Sequence, residues 1–396
     1  MFSHLEQLPP DPLLGLIELY RKDNNPNKVD LGVGVYRNEQ GVTPVLNAVK
    51  QAEKRIFDEE TTKAYIGPSG SPEFNQTIQK LLFGSDHSAI KAGRIRTVQT
   101  PGGCGALRIG AELIKRCNEQ ATIWVSDPTW VNHVPLLKSA GIKLKTYPYY
   151  DINTNELSFD AMFEALKKVG KNDLVLLHGC CHNPSGADLT NEQWEMVADL
   201  AEKQGFVPFI DTAYQGYGDG LIEDAFGVRM LAERLPELIV ASSCSKNFGL
   251  YRERVGSLNI LGNNSKDADT SLTQMISIIR ANYSMPPSHG AAIVSTILQD
   301  EGLTKTWKQE LTEMRDRLNG MRTLLVDKLS RADAPKDFSF INNQKGMFSF
   351  LGINGEQVEK LQKNHAIYMA SSSRISIAGI NTRNVDYLTN AIVSVL

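Results

Sequence analysis

The chain has 396 residues, 41% hydrophobic and 22% charged, which is enough for two domains with a sizeable core and too apolar for a disordered polymer. Its 42 basic and 45 acidic residues leave a formal charge of −3 with no basic block, arguing against a nucleic-acid backbone or an anionic membrane as partner. The opening segment MFSHLEQLPPDPLLGLIELY breaks its apolar content with acids and three prolines, unlike a signal peptide, and no later stretch reaches the length of a membrane span.

In chain order, residues 95 to 262 alternate short apolar or β-branched runs with helix-like segments, the pattern of a mostly parallel sheet covered by helices. The expected strands are RTVQT, ATIWVS, IKLKTYPYY, DLVLLHG, FVPFID, ELIVASS and VGSLNIL. Ligands of such sheets sit at the carboxyl ends of the strands, so the residues that follow each run are the candidates for chemistry. After Asp300, Leu303, Trp307, Leu311, Met314, Leu318, Met321, Leu325 and Leu329 recur at three- and four-residue steps and predict a long amphipathic helix joining two domains. Beyond it, FSFIN, GMFSFLG and SRISIAG read as strands of a smaller α/β unit.

The five cysteines, Cys104, Cys117, Cys180, Cys181 and Cys244, are odd in number and lack a secretory context, which predicts reduced thiols in a cytoplasmic protein. His178, Cys180, Cys181 and His182 look like metal ligands, but they end the apolar run LVLL and lack the paired, separated spacing of a zinc site. No metal is expected.

Four strand ends carry candidate chemistry. Pro101-Gly102-Gly103 stands between a β-rich run and a helical pattern, where backbone N–H groups and a helix start can cradle a phosphate; a tight strand-to-helix turn is the plainer alternative. Asp211 ends FVPFID with Tyr214 three residues on, either a site carboxylate or a helix N-cap. Asn183-Pro184 follows DLVLLHGCCH as a turn that can aim a side chain. Lys246 follows ELIVASS among small uncharged neighbours, where a lysine loses its proton readily and forms a Schiff base, unless it is an ordinary surface lysine. Together they supply an amine, a carboxylate for a pyridine nitrogen, a phenol and an amide for a ring oxygen, and a phosphate cradle: the parts of a pyridoxal-phosphate (PLP) site. The segment LGVGVYR starts like a dinucleotide fingerprint, but Arg37 stands where its third glycine belongs.

The order and wording of these motifs resemble the fold-type I PLP-dependent aminotransferases, specifically the aspartate and aromatic-amino-acid aminotransferases. The resemblance runs from LGVGVYR through TPGGCGALR, WVSDPTWVNH, HGCCHNPSG, DTAYQGYG, SSCSKNFGLYRERVG and IRANYSMPPSHGA to NQKGMFSF and SSSRISIAG. It implies an α/β fold with a mostly parallel central sheet in a large domain, residues 45–313. The small domain comprises residues 11–44 and 314–396, and an arm, residues 1–10, reaches the partner subunit. By the same resemblance Lys246 is the Schiff-base lysine, Asp211 the partner of the pyridine nitrogen, Tyr214 and Asn183 the donors to the ring oxygen, Trp130 the stacking aromatic, and His133 the support behind Asp211. Gly103, Cys104, Ser243, Ser245 and Arg254 correspond to the phosphate site, completed by Tyr65 from the partner. Cys104 departs from the usual hydroxyl residue there, and a thiol donates weakly.

For substrate, the resemblance assigns the α-carboxylate to Arg374, helped by Asn183, Trp130 and the Gly34 backbone, and the side-chain carboxylate to Arg280 of the other subunit. The implied enzyme is a homodimer with shared sites. It exchanges amino groups between aspartate or aromatic amino acids and 2-oxoglutarate by a ping-pong mechanism, with Lys246 moving the α-proton. Val35 and Thr43 follow the aspartate type, while Ala64, Cys104 and Met285 do not, and WVSDPTW and CHNPSGADLT lean toward the bacterial aromatic branch. The flexible thioether of Met285 would tolerate a ring, which favours broad specificity. An aspartate-only aminotransferase is the alternative; a PLP lyase or decarboxylase is disfavoured because both arginines are retained.

Overall fold

The computed structural model describes residues 2–8, 12–32 and 34–396. Part of the expected arm, Met1, Pro9 and Pro10, lies outside these; within it Phe2–His4 form a 3-10 turn with exposed side chains.

All seven expected runs contribute to one sheet: β1 (Ile95–Pro101), β2 (Thr122–Asp127), β3 (Lys143–Pro148), β4 (Leu174–His178), β5 (Val207–Thr212), β6 (Leu238–Ser243) and β7 (Val255–Leu261). Their spatial order is β1-β7-β6-β5-β4-β2-β3; β7 is antiparallel to both neighbours and the other pairs are parallel. Successive side chains of a strand face opposite sides, so a sheet covered on both sides needs apolar residues at every position. In β4, Leu174 and Leu176 enter one core while Val175 and Leu177 enter the other, and Ile239 and Val240 of β6 divide in the same way. Helices Gly102–Cys117 and Ser265–Asn282 cover one face. Pro72–Phe83, Asn191–Gln204, Phe226–Arg234 and His289–Gln299 cover the other. Helix Asn191–Gln204 starts at a reciprocal capping box between Thr190 and Gln193 and stops at Gly205, whose φ of 75° suits a residue without Cβ.

The run IKLKTYPYY divides. β3 ends at Pro148, and Tyr150–Asp151 instead pairs with Glu156–Leu157 in a separate hairpin.

The long helix spans Glu301–Arg331 and starts at Asp300, whose carboxylate accepts from Leu303 N at 2.8 Å. Its buried stripe follows the expected spacing except at one step, where Arg322 is buried and Met321 only partly so. Arg322 donates to the carbonyls of Gly346 and Phe348, which fixes the C-terminal segment against the helix. In that segment Val29–Asp30 pairs parallel with Ile367–Tyr368, and Phe348–Phe350 antiparallel with Arg374–Ser376. FSFIN is not a strand: Ser339–Asn343 form a 3-10 helix. Phe338 and Ile341 are buried three residues apart, a spacing that a 3-10 turn places on one side, and Asp337 accepts from Ser339 N to start the turn.

Candidate active site

The carboxyl ends of β4, β5 and β6 converge. Asp211, next to last in β5, lies in register with His178, the last residue of β4, and with Ala241 of β6. No helix begins behind it, the next helical residues being Glu223–Ala225, so Asp211 is not an N-cap. Its Oδ2 lies 3.0 Å from His133 Nε2. Burial by itself would raise the Asp211 pKa, but the hydrogen bond from His133, with the neighbouring His178 and Lys246, holds it below the ordinary carboxylate value.

A run of hydrogen bonds continues behind His133. Asn183 N donates to His178 Nδ1 at 3.3 Å, which leaves the hydrogen of a neutral His178 on Nε2, 3.3 Å from Thr129 Oγ1. Thr129 thereby accepts, and its own hydrogen faces His133 Nδ1 at 2.8 Å. His133 Nε2 is then the donor to Asp211. Burial, then the neighbouring His133, drives the pKa of His178 down to about 3 against the opposing pull of Asp211, so it stays neutral.

Lys246 sits in the turn after β6. Its carbonyl accepts from Gly249 N at 3.0 Å and from the Tyr217 hydroxyl at 3.1 Å. Trp307 of the long helix donates to Asn247 O at 2.7 Å and stacks on Phe248 with centroids 4.4 Å apart. The turn is thus fixed to the helix, and Lys246 Nζ lies 4.8 Å from the centre of the Tyr214 ring. Burial lowers the lysine pKa, opposed by Asp211 and Cys104 and reinforced by Arg254.

The other end of the cavity gathers groups suited to an anion. Helix Gly102–Cys117 opens directly after β1. A Cβ on Gly102, whose φ is +68°, would fall 2.5 Å from Arg254 Nη2. Ser245 N donates to Ser243 Oγ at 3.2 Å, and Arg254 Nη1 lies 3.4 Å from Ser245 Oγ. The Cys104 sulfur receives a long contact, 3.8 Å, from Asn132 Nδ2.

Ten of the residues singled out from sequence line one cavity: Gly103, Cys104, Trp130, Asn183, Asp211, Tyr214, Ser243, Ser245, Lys246 and Arg254. His133 is fully buried behind it. Arg374 is buried beside it, with its guanidinium 4.2 Å from the Phe348 ring centre, Nη2 donating to Gly32 O at 3.0 Å and Nη1 at 3.5 Å from Asn183 Oδ1. Its Nε has no partner among the described residues. Gly34 packs against Phe348, where a Cβ would come within 3.1 Å of the ring. Tyr65 and Arg280 do not line the cavity of their own chain: Tyr65 is 92% exposed, and Arg280 bonds Ser284 at the surface.

Sequence reading did not identify Thr129 or Phe348, and it considered His178 only as a metal ligand. The available signal was position: Thr129 stands four residues before His133, and His178 ends a strand next to that of Asp211. Both His178 nitrogens and both His182 nitrogens have hydrogen-bond partners, Ser126 and Ser185 in the case of His182. The Asn183–Pro184 and Asp127–Pro128 peptides are cis.

The family model for class I and II aminotransferases matches residues 26–392. The aspartate aminotransferase of Haemophilus influenzae is 50% identical over 396 residues, all of both chains. The aromatic-amino-acid aminotransferase of Pseudomonas aeruginosa is 43% identical over 394 residues, covering all of this chain and 98% of the other. Among solved structures, an aromatic-amino-acid aminotransferase from Burkholderia pseudomallei, covalently bound to pyridoxal phosphate, superposes with a TM-score of 0.98 at 45% identity, over 100% of this chain and 99% of the other. The chain belongs to the class I and II aminotransferases. Its mostly parallel α/β sheet is that of the fold-type I enzymes.

Proposed function

We propose that the chain is a PLP-dependent aminotransferase that accepts both aspartate and aromatic amino acids and returns their amino group to 2-oxoglutarate. The observation that carries this reading is the polarity of one cavity: a buried amine, Lys246, and a buried ionised carboxylate, Asp211, at one end, and a helix start, two serines and Arg254 at the other. The donor set fits the cofactor. Backbone N–H groups, hydroxyls and a guanidinium match a phosphate dianion, and a carboxylate held below its ordinary pKa matches a protonated pyridine nitrogen. When bound, PLP supplies an electron-withdrawing ring that accepts the electron pair left at the substrate α-carbon.

The protein residues do the rest. Asp211, fixed by His133, would keep a proton on the ring nitrogen, Trp130 would cover a ring face, and Tyr214 and Asn183 would donate to the ring oxygen. Lys246 would hold the cofactor at rest; once displaced by substrate, its Nζ would take the α-proton and return it two atoms along, on the far side of the substrate nitrogen. Arg374 receives the α-carboxylate, and its unpartnered Nε together with the partly open geometry at Asn183 leaves capacity for a bidentate contact.

The finer assignments belong to the same reading. Arg280 is exposed on its own chain, and so are Tyr65, Phe57, Leu5 and Leu8, which supports a homodimer in which each subunit lends Tyr65 and Arg280 to its partner. The long helix then divides residues 45–313 from the small domain, 11–44 and 314–396. Among the described residues no helix is long and apolar enough to cross a membrane, and the five cysteines are unbridged; both support a cytoplasmic setting.

Single-turnover spectra test the substrate range. The enzyme loaded with cofactor, mixed separately with aspartate, tyrosine and phenylalanine, is expected to lose the absorption band of the lysine-bound cofactor with all three. Loss with aspartate alone assigns a plain aspartate aminotransferase, and loss with none overturns the proposal.

A further inference from the structure

Behind the cavity two adjacent cysteines play no part in the transamination scheme. Cys180 lines the cavity beside Asp211 and Tyr214, and Cys181 follows at a φ of +51°. Their sulfurs and a carboxylate oxygen of Asp224 all lie within 4.8 Å of one another, and all three residues are buried. This has the outline of a three-donor metal site, but Asp224 has no capacity left for one. Its Oδ2 accepts from Gly216 N at 2.7 Å and Gly218 N at 2.9 Å, and its Oδ1 from Asp219 N at 2.8 Å and Gly220 N at 3.4 Å. Two acceptor positions per oxygen are thereby used. What remains is a pair of thiols with no third ligand among the described residues, a donor set for a trivalent thiophile rather than for a tetrahedral metal ion.

We infer that Cys180 and Cys181 form a dithiol site for trivalent arsenic, entered from the cofactor cavity, so that cofactor and arsenic compete for access. The inference rests on the PLP reading of the cavity. The chemistry is a condensation without change of oxidation state. With an arsenoxide, R–As=O, two As–S bonds form, and the As=O oxygen leaves as water carrying both thiol hydrogens. No thiolate has to accumulate. The hydrogen bond from Cys181 lowers the Cys180 pKa, but burial and the carboxylates of Asp224 and Asp188 still push it up to about 11; burial, followed by Cys180, raises that of Cys181. Single alkylation of either thiol, which needs the thiolate, is therefore disfavoured, whereas chelation by two neighbours is not. Gly346 keeps the space around Cys181 closed, since a Cβ there would fall 2.9 Å from its sulfur, so the open approach is from the Cys180 side.

The test uses phenylarsine oxide and intact-protein mass spectrometry on the full-length protein, with cofactor loading measured independently by absorbance. Cofactor-free protein is expected to gain one bridged phenylarsenic that glutathione leaves in place and dithiothreitol removes, with the bridge mapping to the peptide that contains Cys180 and Cys181. Cys180→Ser and Cys181→Ser should each lose the glutathione-resistant adduct. Cofactor at about ten times its Kd should slow labelling by about tenfold, in proportion to the free fraction. An adduct mapped to another cysteine, or none on the cofactor-free wild type, overturns the site. Equal labelling of loaded and cofactor-free protein overturns entry through the cavity, while failure to load cofactor strikes the functional reading and leaves the dithiol result standing.

Discussion

Thr129 Oγ1 lies 2.8 Å from His133 Nδ1, on the side of the imidazole opposite Asp211. Because the chain of donors starts at a backbone N–H, at Asn183, its direction is set by the fold and not by solvent, and the ring is held with its Nε2 hydrogen aimed at the carboxylate. Removing the hydroxyl leaves His133 free to adopt the other tautomer. Thr129→Val is expected to keep the fold and lower kcat by roughly tenfold, the scale typical of a group that orients a ligand from behind. Thr129→Ser, which keeps the hydroxyl, should recover most of the activity. Steady-state kinetics of the two variants decide the point.

Lys246→Ala should fold, bind cofactor without a covalent link, and lose transamination by on the order of a thousandfold or more, because among the described residues no other amine lines the cavity. Cofactor absorbance measured alongside turnover separates loss of chemistry from loss of binding. Near-normal turnover would exclude Lys246 as the proton carrier.

Two buried groups near Asn183 give opposite pH dependences. His178 has its folded pKa depressed to about 3, so its contribution is intact above the unfolded value of 6.5 and is lost as pH falls, by up to about 5 kcal/mol. The unfolded chain takes up the proton and the folded one does not. In denaturant titrations the stability advantage of wild type over His178→Gln should shrink from pH 6.5 toward pH 4.

Asp188 acts in the other direction. It accepts from Cys181 N at 2.7 Å and His182 N at 2.9 Å, and burial outweighs these bonds and the nearby Lys345 to push its pKa up to about 6. The folded state then binds a proton that the unfolded state releases near pH 4. Stability is lost as pH rises from about 4 to 6, by about 3 kcal/mol. The unfolding midpoint of wild type, measured against Asp188→Asn, should fall across that window.

Asp224→Ala removes the acceptor for four backbone N–H groups in the loop 216–220, which follows Tyr214. A loss of about 3 kcal/mol is expected, since the four donors are left without their partner in a mostly buried turn. Chemical denaturation measures it, and a loss below about 1 kcal/mol would mean that water replaces the carboxylate.

The sequence by itself determined the seven strands of the central sheet, the long helix and most of the cavity lining. Strands covered on both faces must be apolar throughout, a 31-residue helix repeats its stripe too often to be mistaken, and ligand-bearing residues follow strand ends. Tertiary structure decided the rest. FSFIN has the composition of a strand, but the burial of Phe338 and Ile341 made it a 3-10 turn. Arg322 occupies a stripe position because two carbonyls from a distant segment meet its guanidinium there. Thr129 looks ordinary in sequence and His178 resembles a metal ligand; both gain their role only where β4 lies beside β5 and the segment after β2 reaches behind Asp211. Local patterns record which face of the chain is apolar, whereas the partner of a single polar atom is fixed by packing between segments far apart in sequence.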